Sequence, residues 1–260
     1  MLRLKHLFIV LPMTASLGGC GPDDMMDGQS GEGPESELGT ITEELPYKNG
    51  ASWTAPAPAT PLGSASDRVC FLTRIQGVFD SGGDSVHMFG SGGSWYIGGT
   101  GAAKGASAGC STRASTTSYT GEYVWTEGQQ LPTNLGPTAG RVCFLTRVGG
   151  GFNAPTDWVR VYASGSSWFM FGDTQAGNAY ARARCIAVSS YSGEYSWNQT
   201  QTYPTHMGTT SGRSCALTYM AGQFNTWSEV IQIYSSVGSW YLTGGSSNSG
   251  MGVAAKARCF

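Results

Sequence analysis

Charge is what this sequence has least of. Asp, Glu, Lys and Arg make up 12% of its 260 residues, about half the ~25% of an ordinary soluble domain. The formal balance is −2, which leaves no basic footprint for nucleic acid or for an anionic membrane surface. Histidine is nearly absent: beyond the first twenty residues only His87 and His206 occur, at unrelated places. No Gly-x-Ser-x-Gly elbow and no His-Glu-x-x-His is present. No two cysteines stand as Cys-x-x-Cys, the close pairing on which most structural zinc sites are built. These absences argue against a hydrolytic enzyme, a metal site or a bound cofactor.

Glycine is abundant, at 39 residues, and Ser, Thr, Tyr and Trp fill much of the rest. That mixture disfavours long helices and suits short strands joined by tight turns. The expected fold is all-β.

From about residue 47 the sequence is threefold. Arg68-Val-Cys70-Phe-Leu-Thr73 recurs as Arg141-Val-Cys143-Phe-Leu-Thr146 and, more loosely, as Arg213-Ser-Cys215-Ala-Leu-Thr218. Each first cysteine is followed nine residues on by Phe79, Phe152 or Phe224. Then come acid-led alternating runs, Asp84–Phe89, Asp157–Tyr162 and Glu229–Tyr234, and Ser-Trp pairs at Trp95, Trp168 and Trp240. Each copy closes on Cys110, Cys185 or Cys259 and opens on a strand carrying Trp53, Trp125 or Trp197. The expected organisation is a leader over 1–19, an acidic tether over 20–46, and β repeats over 47–112, 121–187 and 193–260. Five strands per repeat are expected, with the copies packed in a threefold, β-prism-like arrangement or strung as separate beads.

Six cysteines fall two to a repeat. Of their 15 connectivities, repeat symmetry selects Cys70–Cys110, Cys143–Cys185 and Cys215–Cys259. A repeat of this size buries only a modest core, which is a physical reason for the staple.

Alternation along the acid-led strands assigns Val159 and Val161 to the core and Arg160 and Tyr162 to the opposite face. By the same rule His87 and Phe89, and Gln232 and Tyr234, face outward. An apolar ring with polar neighbours suits a shallow sugar site, so His87, Phe89, Arg160, Tyr162, Gln232 and Tyr234 are the candidate ligand-binding residues. The ring recurs while its polar neighbour changes, which suits packing equally well. Trp95, Trp168 and Trp240 are expected in the core, and the Arg before each first cysteine is expected to be a structural donor or ion pair. Glu122 and Glu194 recur, as do Asp84, Asp157 and Glu229, but the first repeat has Ala51 or Ser52 where the Glu should be. That breaks a glycosidase pair, and repeated turn-flanking acids are expected to be solvated.

The leader carries Arg3 and Lys5, then an apolar stretch over Leu7–Leu17 too short for the ~30 Å of a bilayer core. It ends in Leu17-Gly-Gly-Cys20, which resembles the bacterial lipobox. That resemblance implies cleavage before Cys20 and lipidation of its sulfur; Gly21, in place of a retaining Asp, implies the outer membrane. The acidic, Gly- and Pro-containing run after Cys20 buries too little to offset ordering and reads as a flexible tether. The repeats themselves resemble short cysteine-paired repeats of bacterial secreted and phage tail-fibre-like proteins, a likeness that implies no established activity.

The expectation for function is a lipid-anchored envelope protein acting as a multivalent binding or adhesion module, directed at a glycan or a surface protein. A passive structural or coat lipoprotein is the alternative, and a glycan hydrolase the remote one.

Overall fold

The computed structural model describes residues 47–112 and 119–260. The leader, Cys20 and the tether lie outside the described residues. Among the described residues every regular element is a strand.

The first repeat supplies β1 (Tyr47–Thr54), β2 (Thr60–Ser64), β3 (Arg68–Gly77), β4 (Ser85–Ser91), β5 (Ser94–Thr100) and β6 (Ala103–Thr112). The second supplies β7 (Tyr123–Thr126), β8 (Thr133–Pro137), β9 (Arg141–Gly149), β10 (Trp158–Ser164), β11 (Ser167–Asp173) and β12 (Tyr180–Ala187). The third supplies β13 (Tyr195–Asn198), β14 (Thr205–Thr209), β15 (Cys215–Ala221), β16 (Val230–Ser236), β17 (Ser239–Gly245) and β18 (Ala254–Cys259). Each repeat therefore has a sixth strand, β2, β8 or β14, beyond the five expected. A Pro or a left-handed Gly inside so short a run reads as a turn, yet an edge strand accepts both.

The strands form three six-stranded sheets, and no sheet belongs to one repeat. Sheet I runs β1-β6-β3-β16-β17-β14, sheet II β2-β5-β4-β9-β12-β7, and sheet III β13-β18-β15-β10-β11-β8. All pairings are antiparallel. Each repeat gives its Trp strand and two Cys strands to one sheet and its other three strands to the next. The seams are short: Gln232↔Arg74, His87↔Arg147 and Arg160↔Tyr219 are the end register pairs of three-residue joints. Hydrogen bonding thus passes cyclically from repeat to repeat, which rules out the bead arrangement.

Two aromatic clusters sit where the repeats converge. Phe79, Phe152 and Phe224 meet edge to face with centroids 6.0–6.5 Å apart. Their backbones close a ring, the Phe79 amide donating to Phe224, Phe224 to Phe152 and Phe152 to Phe79. At the opposite ends of the first Cys strands, Phe71 and Phe144 meet Phe260. Full burial of such rings stabilises the fold by about 1.5–3 kcal/mol each.

The three disulfides join Cys70 to Cys110, Cys143 to Cys185 and Cys215 to Cys259. Each links directly opposed residues of neighbouring strands. They staple half-sheets rather than whole repeats.

The repeated motifs resolve into structural parts. Arg68 and Arg141 each donate to the carbonyl of a Leu in the added strand, Leu62 or Leu135. The carbonyls of Arg68, Arg141 and Arg213 accept the indole N–H of Trp95, Trp168 and Trp240, and all three Trp are buried. The acids Asp84, Asp157 and Glu229 are not solvated, contrary to expectation; they are 2%, 1% and 0% exposed. Asp157 accepts from the amides of Asn153, Ala154 and Gln175, and Asp84 accepts from Ser81 and Ala102. Glu229 accepts from the Thr226 amide. A carboxylate that satisfies several buried backbone donors fixes the turn ahead of its strand.

Candidate binding faces of the three sheets

Alternation leaves one face of every sheet outside the core, and the six candidate residues all stand on those faces. In sheet II, Phe89 of β4 stacks on Tyr96 of β5 at 5.5 Å, and His87 lies 5.0 Å from Phe89. In sheet III, Tyr162 faces Phe169 at 5.9 Å, and the Arg160 guanidinium stands 5.5 Å over Tyr162. In sheet I, Tyr234 stacks on Tyr241 at 5.4 Å, and His206 approaches Tyr241 at 5.4 Å. Each face therefore carries a pair of rings, partly buried, one from each arm of a hairpin.

The second ring of each pair, Tyr96, Phe169 or Tyr241, was not among the sequence candidates. The signal was present: each directly follows a core Trp, so alternation turns it outward.

Beyond the rings, the polar row differs from sheet to sheet. In sheet II, His87 opposes Arg147 and Arg147 opposes Arg182. Arg182 donates to Glu122 at 2.6 Å, and Glu122 also accepts from Thr146. Arg147 donates to Ser85 and to the Tyr180 hydroxyl, and its guanidinium lies 4.9 Å over the Tyr180 ring. Burial, then the positive charge of Arg147 and Arg182, pushes His87 down from 6.5 to about 4 against the opposing pull of Glu122.

In sheet III, Arg160 and Lys256 share one oxygen of Glu194. Burial pushes the Tyr219 phenol up; nearby Arg160 opposes this and Glu194 adds to it. Sheet I is the least charged: Arg74 donates to Gln76, and Ser52 and Ser107 hydrogen-bond at 2.8 Å. The Trp register places Gly50, rather than Ala51 or Ser52, at the position of Glu122 and Glu194. Sheet I thus lacks the carboxylate that organises the other two.

Two further cations are structural. Arg184 stacks on Trp95 and Tyr119 and donates to the Thr120 carbonyl. Arg258 repeats this on Trp168, Tyr191 and the Ser192 carbonyl.

No protein family, characterised protein or solved structure that was compared matches this chain.

Proposed function

We propose that the chain is a lipid-anchored envelope protein whose three sheet faces form a trivalent binding module for glycans. The observation that carries this reading is the ring pair at equivalent places on all three outer faces, stacked in sheets I and II and tilted by 32° in sheet III. Paired rings offer a flat apolar platform, and the neighbouring polar side chains supply hydrogen bonds for the rim of a sugar. One platform of this kind binds weakly. Three held at fixed spacing on one rigid body gain through effective concentration when the ligand is itself repetitive.

Anchoring follows the lipobox resemblance at Leu17–Cys20 and places the module at the outer membrane, with Cys20 carrying the lipid and 20–46 as tether. Intact-mass spectrometry of the mature protein tests this: a diacylglyceryl group on Cys20 is expected, and an unmodified thiol there overturns it.

For binding, the full-length chain in detergent is applied to a glycan array. Specific retention that is lost in the Tyr162→Ala, Tyr234→Ala double variant supports the module. A blank array together with ordered self-assembly supports a passive coat protein instead.

A further inference from the structure

The three faces share their rings but not their charge, and sheet II alone combines the platform with an uncompensated guanidinium beside a second nitrogen base. In sheet III both cations of the row converge on Glu194, so the pair is neutralised locally. In sheet II the single carboxylate, Glu122, is taken by Arg182. Arg147 is left with two neutral oxygen acceptors and an aromatic face. Its Nε and the Nδ1 of His87 are buried without a hydrogen-bond partner. Tyr96, Phe89, His87 and Arg147 form one continuous strip across three neighbouring strands.

We infer that the outer face of sheet II binds the carboxylate of an acidic sugar, with Arg147 engaging the carboxylate and Phe89 and Tyr96 carrying the sugar ring. A guanidinium presents a planar donor fork that matches a carboxylate, and it is more weakly hydrated than an ammonium. The strip therefore suits a uronate unit, with the ring on the aromatic pair and the acid toward Arg147. Sheet I has Arg74 at the place of Arg147, but Gln232 stands where His87 does, and Arg74 is tied to Gln76. The inference rests on the glycan-binding reading and narrows it to a ligand class and a face.

The test compares oligogalacturonate, the same oligomer as its methyl ester, and poly-glutamate, each titrated into the full-length chain in detergent. Oligogalacturonate is expected to bind at least about tenfold more tightly than the ester, the scale of one charge-assisted hydrogen-bond set. Arg147→Gln is expected to abolish that preference while leaving ester binding as it was, which also reports an intact fold. Arg147→Lys keeps the charge and is expected to retain part of it. Lys104→Gln, which removes an exposed cation outside the strip, is expected to change nothing. Equal binding of acid and ester overturns the carboxylate site and leaves the glycan reading standing. Equal binding of poly-glutamate and oligogalacturonate overturns the sugar assignment. Retention of neither sugar polymer overturns the acidic-sugar site, and the glycan array then decides the glycan reading separately.

Discussion

Phe144 and Phe260 stack with centroids 5.8 Å apart and planes 9° from parallel, although Phe260 lies outside the motif that supplies Phe71 and Phe144. In the third repeat Ala216 stands where the other two have Phe. The space that the smaller side chain opens is filled by the residue after Cys259, which its backbone pairs with Ser214. A threefold cluster is thus completed by a residue from a different strand end.

That substitution of one ring for another is testable. Phe260→Ala is expected to cost about 3 kcal/mol, the low end for a buried Phe truncation because its edge reaches solvent. Adding Ala216→Phe to that variant is expected to restore a good part of the loss, whereas Ala216→Phe alone overpacks the site and destabilises. Urea denaturation of the four proteins reads the coupling directly; additive losses would refute the exchange.

Gly172 illustrates a second constraint. A Cβ there would sit 2.7 Å from the Trp125 ring and 2.7 Å from the Trp158 carbonyl. Gly99 and Gly244 meet Trp53 and Trp197 in the same way, so the indole of each Trp strand packs against a glycine of a Ser-Trp strand. Gly172→Ala is expected to cost about 1–3 kcal/mol through forced displacement of the ring. Near-ultraviolet circular dichroism, which reports Trp packing, is expected to change with it. An unaltered melting curve would show that the indole yields freely.

The strand faces were legible because alternation is local: Arg160 and Tyr162 turn outward for the same reason that Val159 and Val161 turn inward. The cysteine pairs were legible from the repeat itself. The exchange of half-sheets was not, because similar sequences offer a strand such as β4 equivalent edges in its own repeat and in the next. Nothing short-range distinguishes His87 opposite Arg147 from His87 opposite Arg74. The buried acids were misjudged because solvation of Asp and Glu is a compositional habit, while their actual role depends on amides such as Ala102 and Gln175, 18 residues away in sequence. The candidate rings were half legible: Phe89, Tyr162 and Tyr234 were singled out, and their partners were passed over beside a core Trp.

His87 gives the stability a pH dependence. Its folded-state value is near 4, against an ordinary 6.5, so between those values the unfolded chain binds the proton and the folded chain does not. Its contribution is complete above about pH 6.5 and is lost progressively as pH falls towards 4. Asp84 acts lower. Burial pushes its carboxyl up, but donors from Ala102, Ser81 and Asp80 outweigh that and hold it below 3.8, so its contribution is lost only as pH falls beneath that value. Denaturation midpoints measured from pH 7 to 4 are expected to decline in the wild type and to flatten in His87→Gln. An equal decline in both would show that His87 is not the titrating group.

The tip of the β16–β17 hairpin holds the last expectation. Val237 has φ +46° and is 99% exposed, so it sits in the left-handed region with no burial to offset the strain. Gly92 and Gly165 occupy the same place in the other two hairpins, with φ +55° and +57°. A non-glycine residue in that conformation costs roughly 1–2 kcal/mol, and a β-branched one is the least suited to it. Val237→Gly removes the strain but adds freedom to the unfolded chain, whereas Asn tolerates the conformation without that penalty. Val237→Asn is therefore expected to stabilise by about 1 kcal/mol, a rise of roughly 2–4 °C in Tm for a chain of this size, and to exceed the gain from Val237→Gly. Thermal melts rank the three proteins; if valine proves the most stable, the tip gains from its side chain in a way that hairpin geometry alone does not account for.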